Sequence, residues 1–185
     1  MSSLWYPSVK QSPIQGYTGF GGGSTGLNYH HTAGGGGDSG NYAVDFNGTG
    51  DWLGIPDNSD FTLGTGDWTI EAFYKGDTGS GSYDCIVSFG WKFQLYWYDT
   101  RFYMYLQAGS GYFINGDNTG ANSATLNTWW HIAVTRENNH FRMWLDGTEE
   151  SDTTHSDSVG DPSYAAAIGR FGPTTQYYAQ GLISN

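Results

Sequence analysis

The stretch that decides the fold reads Phe93-Gln-Leu-Tyr-Trp-Tyr98, Asp99-Thr100, Arg101-Phe-Tyr-Met-Tyr-Leu106. Apolar and polar side chains alternate on both sides of the short polar pair, and successive side chains of a β-strand point to opposite faces. The pattern therefore predicts two antiparallel strands joined by a two-residue turn, with one face buried. A second unit of this kind follows, reading Trp130-His-Ile-Ala-Val-Thr-Arg136, Glu137-Asn-Asn139, His140-Phe-Arg-Met-Trp-Leu145.

The alternation divides the side chains of these hairpins into an inward and an outward set, because a two-residue turn fixes the pairing register. The predicted inward set comprises Phe93, Leu95, Trp97, Phe102, Met104, Leu106, Ile132, Val134, Phe141, Met143 and Leu145. The outward set of the first hairpin is Gln94, Tyr96, Tyr98, Arg101, Tyr103 and Tyr105. Flat rings with hydrogen-bonding groups suit a glycan or another ligand, and the same six residues suit packing against another strand, the N-terminal segment or a neighbouring subunit.

Composition narrows the partners that the protein can have. The chain of 185 residues carries 18 Asp and Glu against 7 Lys and Arg, a formal net charge of −11. Nucleic acids and anionic membranes require clustered basic residues, so the sequence predicts neither partner. A neutral polyol such as a glycan would not be repelled, and a divalent cation would be attracted. The chain shows no apolar run of membrane-spanning length and no signal peptide.

The sequence divides into two regions. Residues 1–40 are rich in glycine, including Gly34-Gly-Gly-Gly37, which favours an arm or a long loop. From residue 41 to 185, short strand candidates recur between turn residues, and no stretch keeps a 3.6-residue period. These features predict an all-β fold, a two-sheet antiparallel β-sandwich. Besides the hairpins, the candidates are Tyr42–Phe46, Trp52–Ile55, Trp68–Lys75 and Cys85–Phe89, with weaker ones at Gly111–Ile114, Ala165–Ile168 and Tyr178–Ser184.

Four blocks in residues 41–185 resemble the laminin-G-like branch of the concanavalin-A-like jelly rolls. They read Tyr42-Ala-Val-Asp-Phe-Asn-Gly-Thr-Gly-Asp-Trp-Leu-Gly-Ile-Pro56, then Asp60-Phe-Thr-Leu-Gly-Thr-Gly-Asp-Trp-Thr-Ile-Glu-Ala-Phe-Tyr74, then Asn127-Thr-Trp-Trp-His-Ile-Ala-Val-Thr-Arg136 with Leu145-Asp-Gly147, and finally Ala167-Ile-Gly-Arg170 with Gly181-Leu-Ile-Ser184. Each block alone is mostly strand and turn chemistry, and their occurrence in family order carries the resemblance.

The resemblance implies a jelly roll that binds glycans or proteins, sometimes through calcium, in bacterial surface proteins and phage structural proteins. We therefore expect a non-catalytic recognition module on a virion or a cell surface, such as part of a phage tail fibre. The glycine-rich region looks nearest to the leaders of phage fibre proteins. Alternatives are a structural or decoration protein that binds only its own assembly, including other virion subunits or a homo-oligomer, and a degenerate glycoside hydrolase. The family usually continues with a further strand past Ser184, which we expect to be absent here.

Catalytic chemistry has little support in the sequence. Related hydrolases place carboxylates at positions i, i+2 and i+4 of one strand. The matching strand here carries Glu71 between Thr69 and Phe73, and one carboxylate cannot be both acid and nucleophile. Cys85, the single cysteine, lies in a strand candidate and is predicted to be a buried apolar residue. We expect no enzymatic activity.

Metal binding is an open question in the sequence. The adjacent His30 and His31 point to opposite sides if they lie on a strand, and no pattern completes a zinc site. The turn at Asp57, Asn58 and Asp60 offers oxygen ligands of the type that calcium prefers. Because Asp and Asn are also ordinary turn residues, the sequence supports both a calcium site and a plain turn at this position.

Overall fold

A computed structural model describes residues 29–31, 42–77, 83–120, 124–174 and 176–184. Thirteen strands and one short 3-10 helix, Ser59–Phe61, are present in these ranges. No helix in the described ranges is long and apolar enough to cross a bilayer. The strands are β1 Tyr29–His31, β2 Tyr42–Asn47, β3 Leu53–Ile55, β4 Trp68–Gly76, β5 Asp84–Phe89, β6 Phe93–Tyr98, β7 Arg101–Gln107, β8 Tyr112–Asn118, β9 Trp130–Glu137, β10 His140–Leu145, β11 Thr148–Thr154, β12 Ala166–Ile168 and β13 Gln180–Ser184.

The strands form two antiparallel sheets that pack into a sandwich. One sheet has seven strands in the order β1-β2-β13-β4-β9-β10-β11, and the other has six in the order β3-β12-β5-β6-β7-β8. The predicted all-β jelly roll is therefore confirmed. The two hairpins fall into different sheets, with β6 and β7 in the six-stranded sheet and β9 and β10 in the seven-stranded one.

The first hairpin has the register that its two-residue turn predicts. In the second, the predicted turn Glu137-Asn-Asn139 is one residue shorter, because Glu137 ends β9 and pairs with His140. In the first, Tyr96 pairs with Tyr103, and the turn residues Asp99 and Thr100 have φ angles of +46° and +65°. In the second, Asn138 and Asn139 have φ angles of +50° and +67°. Positive φ at both central residues belongs to the tight turn whose twist matches that of paired strands, which explains why short polar pairs suffice here.

The core lies between the sheets and contains the whole predicted inward set. Each of these side chains is buried, and most are completely inaccessible to solvent. The buried Arg136 closes one end of the core, where its guanidinium lies 4.8 Å from the centre of the Phe141 ring. Its Nη1 donates a hydrogen bond to the Gly64 carbonyl over 2.7 Å, and its Nη2 donates one to Asn139 Oδ1 over 2.9 Å. These bonds satisfy the two terminal nitrogens of a side chain that is costly to bury, while its Nε is buried without a hydrogen-bond partner.

Three parts of the fold differ from the sequence expectation. β11 was not predicted, since its sequence Thr-Glu-Glu-Ser-Asp-Thr-Thr is polar throughout, as suits a sheet edge exposed to water. β8 extends to Asn118, past the predicted Ile114. Most of residues 1–40 lie outside the described residues, but β1 falls within that region and pairs with β2 at the sheet edge. The last strand, β13, is internal and lies between β2 and β4.

Candidate functional site

The outward set of the first hairpin lies on the outer face of the six-stranded sheet. All six residues share this face through the pairings Gln94–Tyr105, Tyr96–Tyr103 and Tyr98–Arg101. They are not equally open, however, because Gln94 is 3% exposed and Tyr96 is 4% exposed. The expectation of one continuous open surface is corrected accordingly: Tyr98, Arg101, Tyr103 and Tyr105 are half-buried, and the centre of the face is covered.

The cover is the β12–β13 loop, described over residues 169–174 and 176–179, which is fastened to β5 by hydrogen bonds between backbone groups and to a side chain. The Cys85 amide donates to the Tyr177 carbonyl over 2.9 Å, and the Gly172 amide donates to Ser88 Oγ over 3.0 Å. Phe171 and Tyr177 from this loop pack on Tyr96, with ring centres 6.4 and 5.7 Å away. Cys85 is fully buried in the same cluster, as its sequence setting predicted.

Tyr83, just before β5, is the centre of the aromatic cluster on this face. Its ring stacks on that of Tyr98 at 4.4 Å with an interplanar angle of 18°. It also meets Tyr96, Tyr103 and Tyr177 edge-on, at 5.6, 5.9 and 5.9 Å. Edge-to-face and stacked contacts of this kind stabilise a fixed arrangement of rings beyond the burial of their area. The rings beside the cover loop therefore form one packed cluster around Tyr83.

An open cavity of about 250 Å³ lies between the hairpin and the cover loop, and we call it the tyrosine cleft. Its walls are aromatic rings and uncharged polar side chains from β6, β7, β8, the cover loop and the turns before β5 and β6. The described residues that line it are Tyr83, Trp91, Gln94, Tyr96, Tyr105, Tyr112, Phe171, Thr174, Gln176 and Tyr177.

The buried amide of Gln94 orders the hydroxyl groups in the cleft. Its Nε2 donates to the Trp91 carbonyl over 3.0 Å and to the Tyr112 hydroxyl over 3.1 Å. A carbonyl can only accept, so this contact fixes which end of the amide is nitrogen. Gln94 Oε1 in turn accepts from the Tyr96 hydroxyl over 3.0 Å. The Tyr112 hydroxyl therefore can donate its own O–H to a ligand. The Tyr96 hydroxyl donates to Gln94, so its oxygen can accept a hydrogen bond from a ligand.

Two of the cleft tyrosines, Tyr96 and Tyr105, have hydroxyl groups that resist ionisation. Burial raises the pKa of Tyr96 well above its ordinary value of 10.0, and neighbouring ionisable groups raise it further. Burial also raises the pKa of Tyr105, and the hydrogen bond with Tyr83 acts in the same direction. These groups act as hydrogen-bonding hydroxyls at any physiological pH.

Gly116 in β8 leaves room for the Tyr105 side chain in the wall of the cleft. The pairing between β7 and β8 shifts between Met104 and Tyr105, which leaves Gly116 as the extra residue of a bulge. Gly116 has a φ of +82°, and a Cβ there would lie 3.1 Å from the Tyr105 hydroxyl oxygen. Any larger residue would be strained and would press on a wall of the cleft.

A second, larger cavity of about 640 Å³ adjoins the cleft, and we call it the side lobe. Trp91 and Tyr112 line both cavities, so they form the ridge between them. The side lobe also contains one basic and one acidic side chain, Lys92 and Asp161. The Lys92 ammonium donates to the carbonyls of Ala108 and Gly109, which ties it to the β7–β8 turn. The remaining lining residues are Gln107, Gly109, Ser110, Pro162, Ser163 and Tyr164.

Glu71 lies on the other sheet, remote from the cleft in the fold. It is exposed on the outer face of the seven-stranded sheet, and its Oε2 lies 3.3 Å from His131 Nε2. Its same-face strand neighbours are Thr69 and Phe73, as the sequence predicted. The strand thus offers one carboxylate where retaining or inverting hydrolysis uses two.

The turn at Asp57, Asn58 and Asp60 caps the 3-10 helix. Asn58 Oδ1 accepts from the Asp60 amide over 3.0 Å, so its oxygen already has a partner. Among the described residues, no group of three or more His, Cys, Asp or Glu side chains is arranged to hold a metal ion. Calcium binding at this turn stays a prediction.

Sequence reasoning identified three of the cleft residues, Gln94, Tyr96 and Tyr105. Tyr98, Arg101 and Tyr103 share the face but do not line the cavity. The residues missed belong to loops and turns, above all Trp91, Tyr112, Phe171 and Tyr177. The mixture of amide, hydroxyl and aromatic side chains at 174–178 was the available signal, but nothing in the sequence indicates that this segment crosses the first hairpin.

Comparison with known proteins places the chain in a family. The laminin-G family described as the Concanavalin A-like lectin/glucanases superfamily matches residues 47–185. This match covers most of the chain, and the chain belongs to that superfamily. No curated protein matches the chain in sequence.

Solved structures share the fold at low sequence identity. Domain 4 of AbnA, an extracellular arabinanase from Geobacillus stearothermophilus solved with arabinotriose, is 14% identical with a TM-score of 0.60, over 86% of this chain and 73% of that one. The Ruminococcus gnavus sialidase CBM40 bound to α2,3 sialyllactose is 13% identical with a TM-score of 0.58, over 77% and 88%. Domains LG4-5 of the mouse laminin α1 chain are 15% identical with a TM-score of 0.57, over 77% and 39%. At sequence identities this low, the structural similarity shows a shared fold and nothing more specific.

Proposed function

We propose that this protein is a non-catalytic recognition module that binds a glycan in the tyrosine cleft. The observation that carries the proposal is the cleft itself, an open aromatic cavity whose hydroxyl groups are ordered by one buried amide. Ligand sites are commonly concave, mostly apolar and provided with a few fixed polar groups, and the cleft has each of these properties.

The chemistry of the cleft suits a sugar. Exposed rings, such as Trp91 at 38% and Tyr177 at 40% exposure, can cover the C–H face of a pyranose or furanose ring. The Tyr112 proton can be donated to a sugar hydroxyl, while the Tyr96 oxygen can accept from one. Gln94 acts as a positioning residue, since its own hydrogen-bonding groups are engaged with protein atoms.

The comparisons support a glycan over other small ligands. Two of the similar structures were solved with a saccharide, one with arabinotriose and one with sialyllactose. A third is a putative carbohydrate binding protein from Bacteroides ovatus, by its own description. The family includes both lectins and glucanases, so the choice between binding and catalysis rests on this chain's residues.

The residues around the cleft favour binding over hydrolysis. Glycoside hydrolysis requires a pair of carboxyl groups on either side of the scissile bond. None of the described residues that line the cleft is Asp or Glu, and the side lobe contributes Asp161 alone. We therefore assign the protein a binding role without turnover.

Glycan-array binding of the full chain, followed by titration calorimetry, tests the proposal. We select Trp91→Ala and Tyr112→Ala because both side chains are 38% exposed, so truncation should leave the fold intact. Tyr96 is unsuitable because its burial makes loss of folding the expected result. Loss of a central aromatic contact typically costs more than about 1.4 kcal/mol, so each variant should bind at least about tenfold more weakly.

Trp129→Ala is the matched control, since Trp129 is 40% exposed, directly precedes β9 of the other sheet and lines neither cavity. It should bind as the parent protein does. Equal weakening by Trp91→Ala and Trp129→Ala would show that the cleft is not the site. A parent chain that binds no glycan on a broad array, but self-associates in light scattering, would favour the structural or decoration role.

The proposal includes an exterior location, on a virion such as a phage fibre or on a bacterial surface. It rests on the resemblance of residues 41–185 to laminin-G-like modules and of the glycine-rich region to fibre leaders. The partner is then a cell-surface glycan, with neighbouring subunits of the same structure as further contacts. Capsid or tail genes beside the coding sequence would support the phage assignment, and genes for secreted carbohydrate-active enzymes would favour the bacterial surface.

A further inference from the structure

We propose that the ligand is an uncharged oligosaccharide long enough to lie across the Trp91–Tyr112 ridge, and that the site rejects acidic glycans. The inference rests on the proposed function and specifies its ligand class. Its two parts come from the charge of the lining and from the adjacency of the two cavities.

Among the described residues, the cleft lining has no basic group that could pair with a carboxylate. None of the described residues lining it is Lys, Arg or His. A sugar carboxylate placed there would lose its hydration and gain only neutral hydroxyl and amide donors, which is unfavourable for a charged group. The raised pKa values of Tyr96 and Tyr105 keep those two hydroxyls protonated, and none of the described lining residues is Asp or Glu.

The side lobe does not supply the missing charge. Lys92 and Asp161 are the charged residues among those lining it, and their formal charges cancel. The Lys92 ammonium already donates to two backbone carbonyls, so it is positioned to hold the β7–β8 turn. Arg101, at the turn of the first hairpin, lines neither cavity. With a net charge of −11, the whole chain also repels an approaching anion.

The two cavities are neighbours, because two residues line both of them. Trp91 and Tyr112 belong to both linings, so a chain that covers this ridge enters the cleft on one side and the side lobe on the other. The cleft of about 250 Å³ is smaller than most small-molecule sites, while the side lobe of about 640 Å³ lies within their usual range. A monosaccharide would leave the lobe unused, and an oligosaccharide would fill both.

The charge part is tested with matched polysaccharides that differ only in their carboxyl groups. Native and carboxyl-reduced polygalacturonate, alginate and hyaluronan are compared by affinity electrophoresis, beside neutral arabinan, galactan, xylan and β-glucan. We expect binding to one or more neutral polymers, at least tenfold weaker binding to acidic ones, and no change between about 0.05 and 0.5 M salt, since screening acts on charges alone. Equal or stronger binding to an acidic polymer overturns the inference while the proposed function stands. Binding to no polymer of either kind contradicts both.

The length part is tested with oligosaccharides of the neutral polymer that binds. Affinity should rise from the disaccharide to longer chains, and Tyr164→Ala, a truncation of an exposed side-lobe residue, should weaken the longer chains several-fold and leave the disaccharide unchanged. Trp91→Ala should weaken every length, and Trp129→Ala none. Length-independent affinity, or equal binding of long chains by the parent and Tyr164→Ala, overturns the length part.

Discussion

The hairpins β6–β7 and β9–β10 share their alternation and their turn geometry, and they differ in what happens to their outward faces. Inward, Phe102 of the first and Phe141 of the second are both inaccessible to solvent. Outward, the first hairpin presents four tyrosines, a glutamine and one arginine, and a loop covers the centre of this face. The second presents charged groups to water.

The outward face of the second hairpin is held by ion pairs. The Arg142 guanidinium lies 3.1 Å from Asp152, 3.3 Å from Glu137 and 3.6 Å from Glu149. His140 Nδ1 also lies 2.8 Å from Asp152. Exposed pairs of this kind contribute little to stability because water and salt screen them. The difference between the hairpins therefore shows that alternation sets the buried face, while the neighbouring loop decides whether the opposite face is covered or open to water.

The largest expected loss of stability comes from truncating a core phenylalanine, and it should be the same in both hairpins. Phe102→Ala and Phe141→Ala should each lower the free energy of unfolding by about 3 to 5 kcal/mol, because each leaves a cavity in the core. Urea denaturation followed by tryptophan fluorescence measures this. If either substitution lowered the free energy of unfolding by less than about 1 kcal/mol, the core around that phenylalanine would not be close-packed. The inward faces of the two hairpins would then not be equivalent.

The next effect concerns an ionisable group beside the first hairpin. Asp84 is 5% exposed and pairs in register with Trp97, and burial raises its pKa from 3.8 to about 6. The hydrogen bond that the Tyr74 hydroxyl donates to Asp84 Oδ2 over 2.8 Å only partly offsets this cost. Between pH 4 and 6 the folded protein keeps a proton that the unfolded chain has released, so this group makes stability fall as pH rises.

Asp84→Asn should remove that dependence. Relative to this variant, the parent chain should lose about 2 to 3 kcal/mol between pH 4 and pH 7, since one pKa unit corresponds to about 1.4 kcal/mol. Thermal and urea unfolding at several pH values measures the difference. Parallel pH profiles for the two proteins would mean that Asp84 ionises normally in the folded chain.

The smallest effect distinguishes the outward faces directly. Tyr96→Phe removes the donor to the buried Gln94 oxygen, and it should cost about 1 to 2 kcal/mol because that oxygen is then unsatisfied. Thr135→Val removes the acceptor of the Trp144 indole N–H on the second hairpin. That N–H is only partly buried and can turn to water, so we expect a cost under about 0.5 kcal/mol. Equal costs would contradict the contrast between a covered and an open face.

The fold was readable from the sequence wherever the pattern was local. The register of Tyr96 opposite Tyr103, the burial of Ile132 and Val134, and the boundaries of β4 follow from alternation and turn length. β11 was not predicted because a polar edge strand has no alternation of apolar and polar residues. The order of strands in each sheet could not be predicted either, since it depends on contacts between segments far apart in the chain.

The site was readable only in part. Alternation placed Gln94, Tyr96 and Tyr105 on one face, but it could not distinguish an open surface from a covered one. That distinction depends on the β12–β13 loop, which begins more than sixty residues after β7 and reaches the face by bonding to β5. The sequence of a loop has no hydrophobic periodicity or motif that predicts which strand the loop will pack against.

The sequence by itself determined the all-β class, the register of the first hairpin, the inward sets of both hairpins and the tyrosine-rich character of one outward face, because strand geometry turns every second residue to the same side. Only the tertiary structure decided that Tyr83, Phe171 and Tyr177 close over that face and leave a cleft beside Trp91 and Tyr112. The physical reason is that burial of an outward face needs a partner surface. Here that surface is supplied by a segment distant in sequence, held in place by backbone hydrogen bonds that any residue type can make.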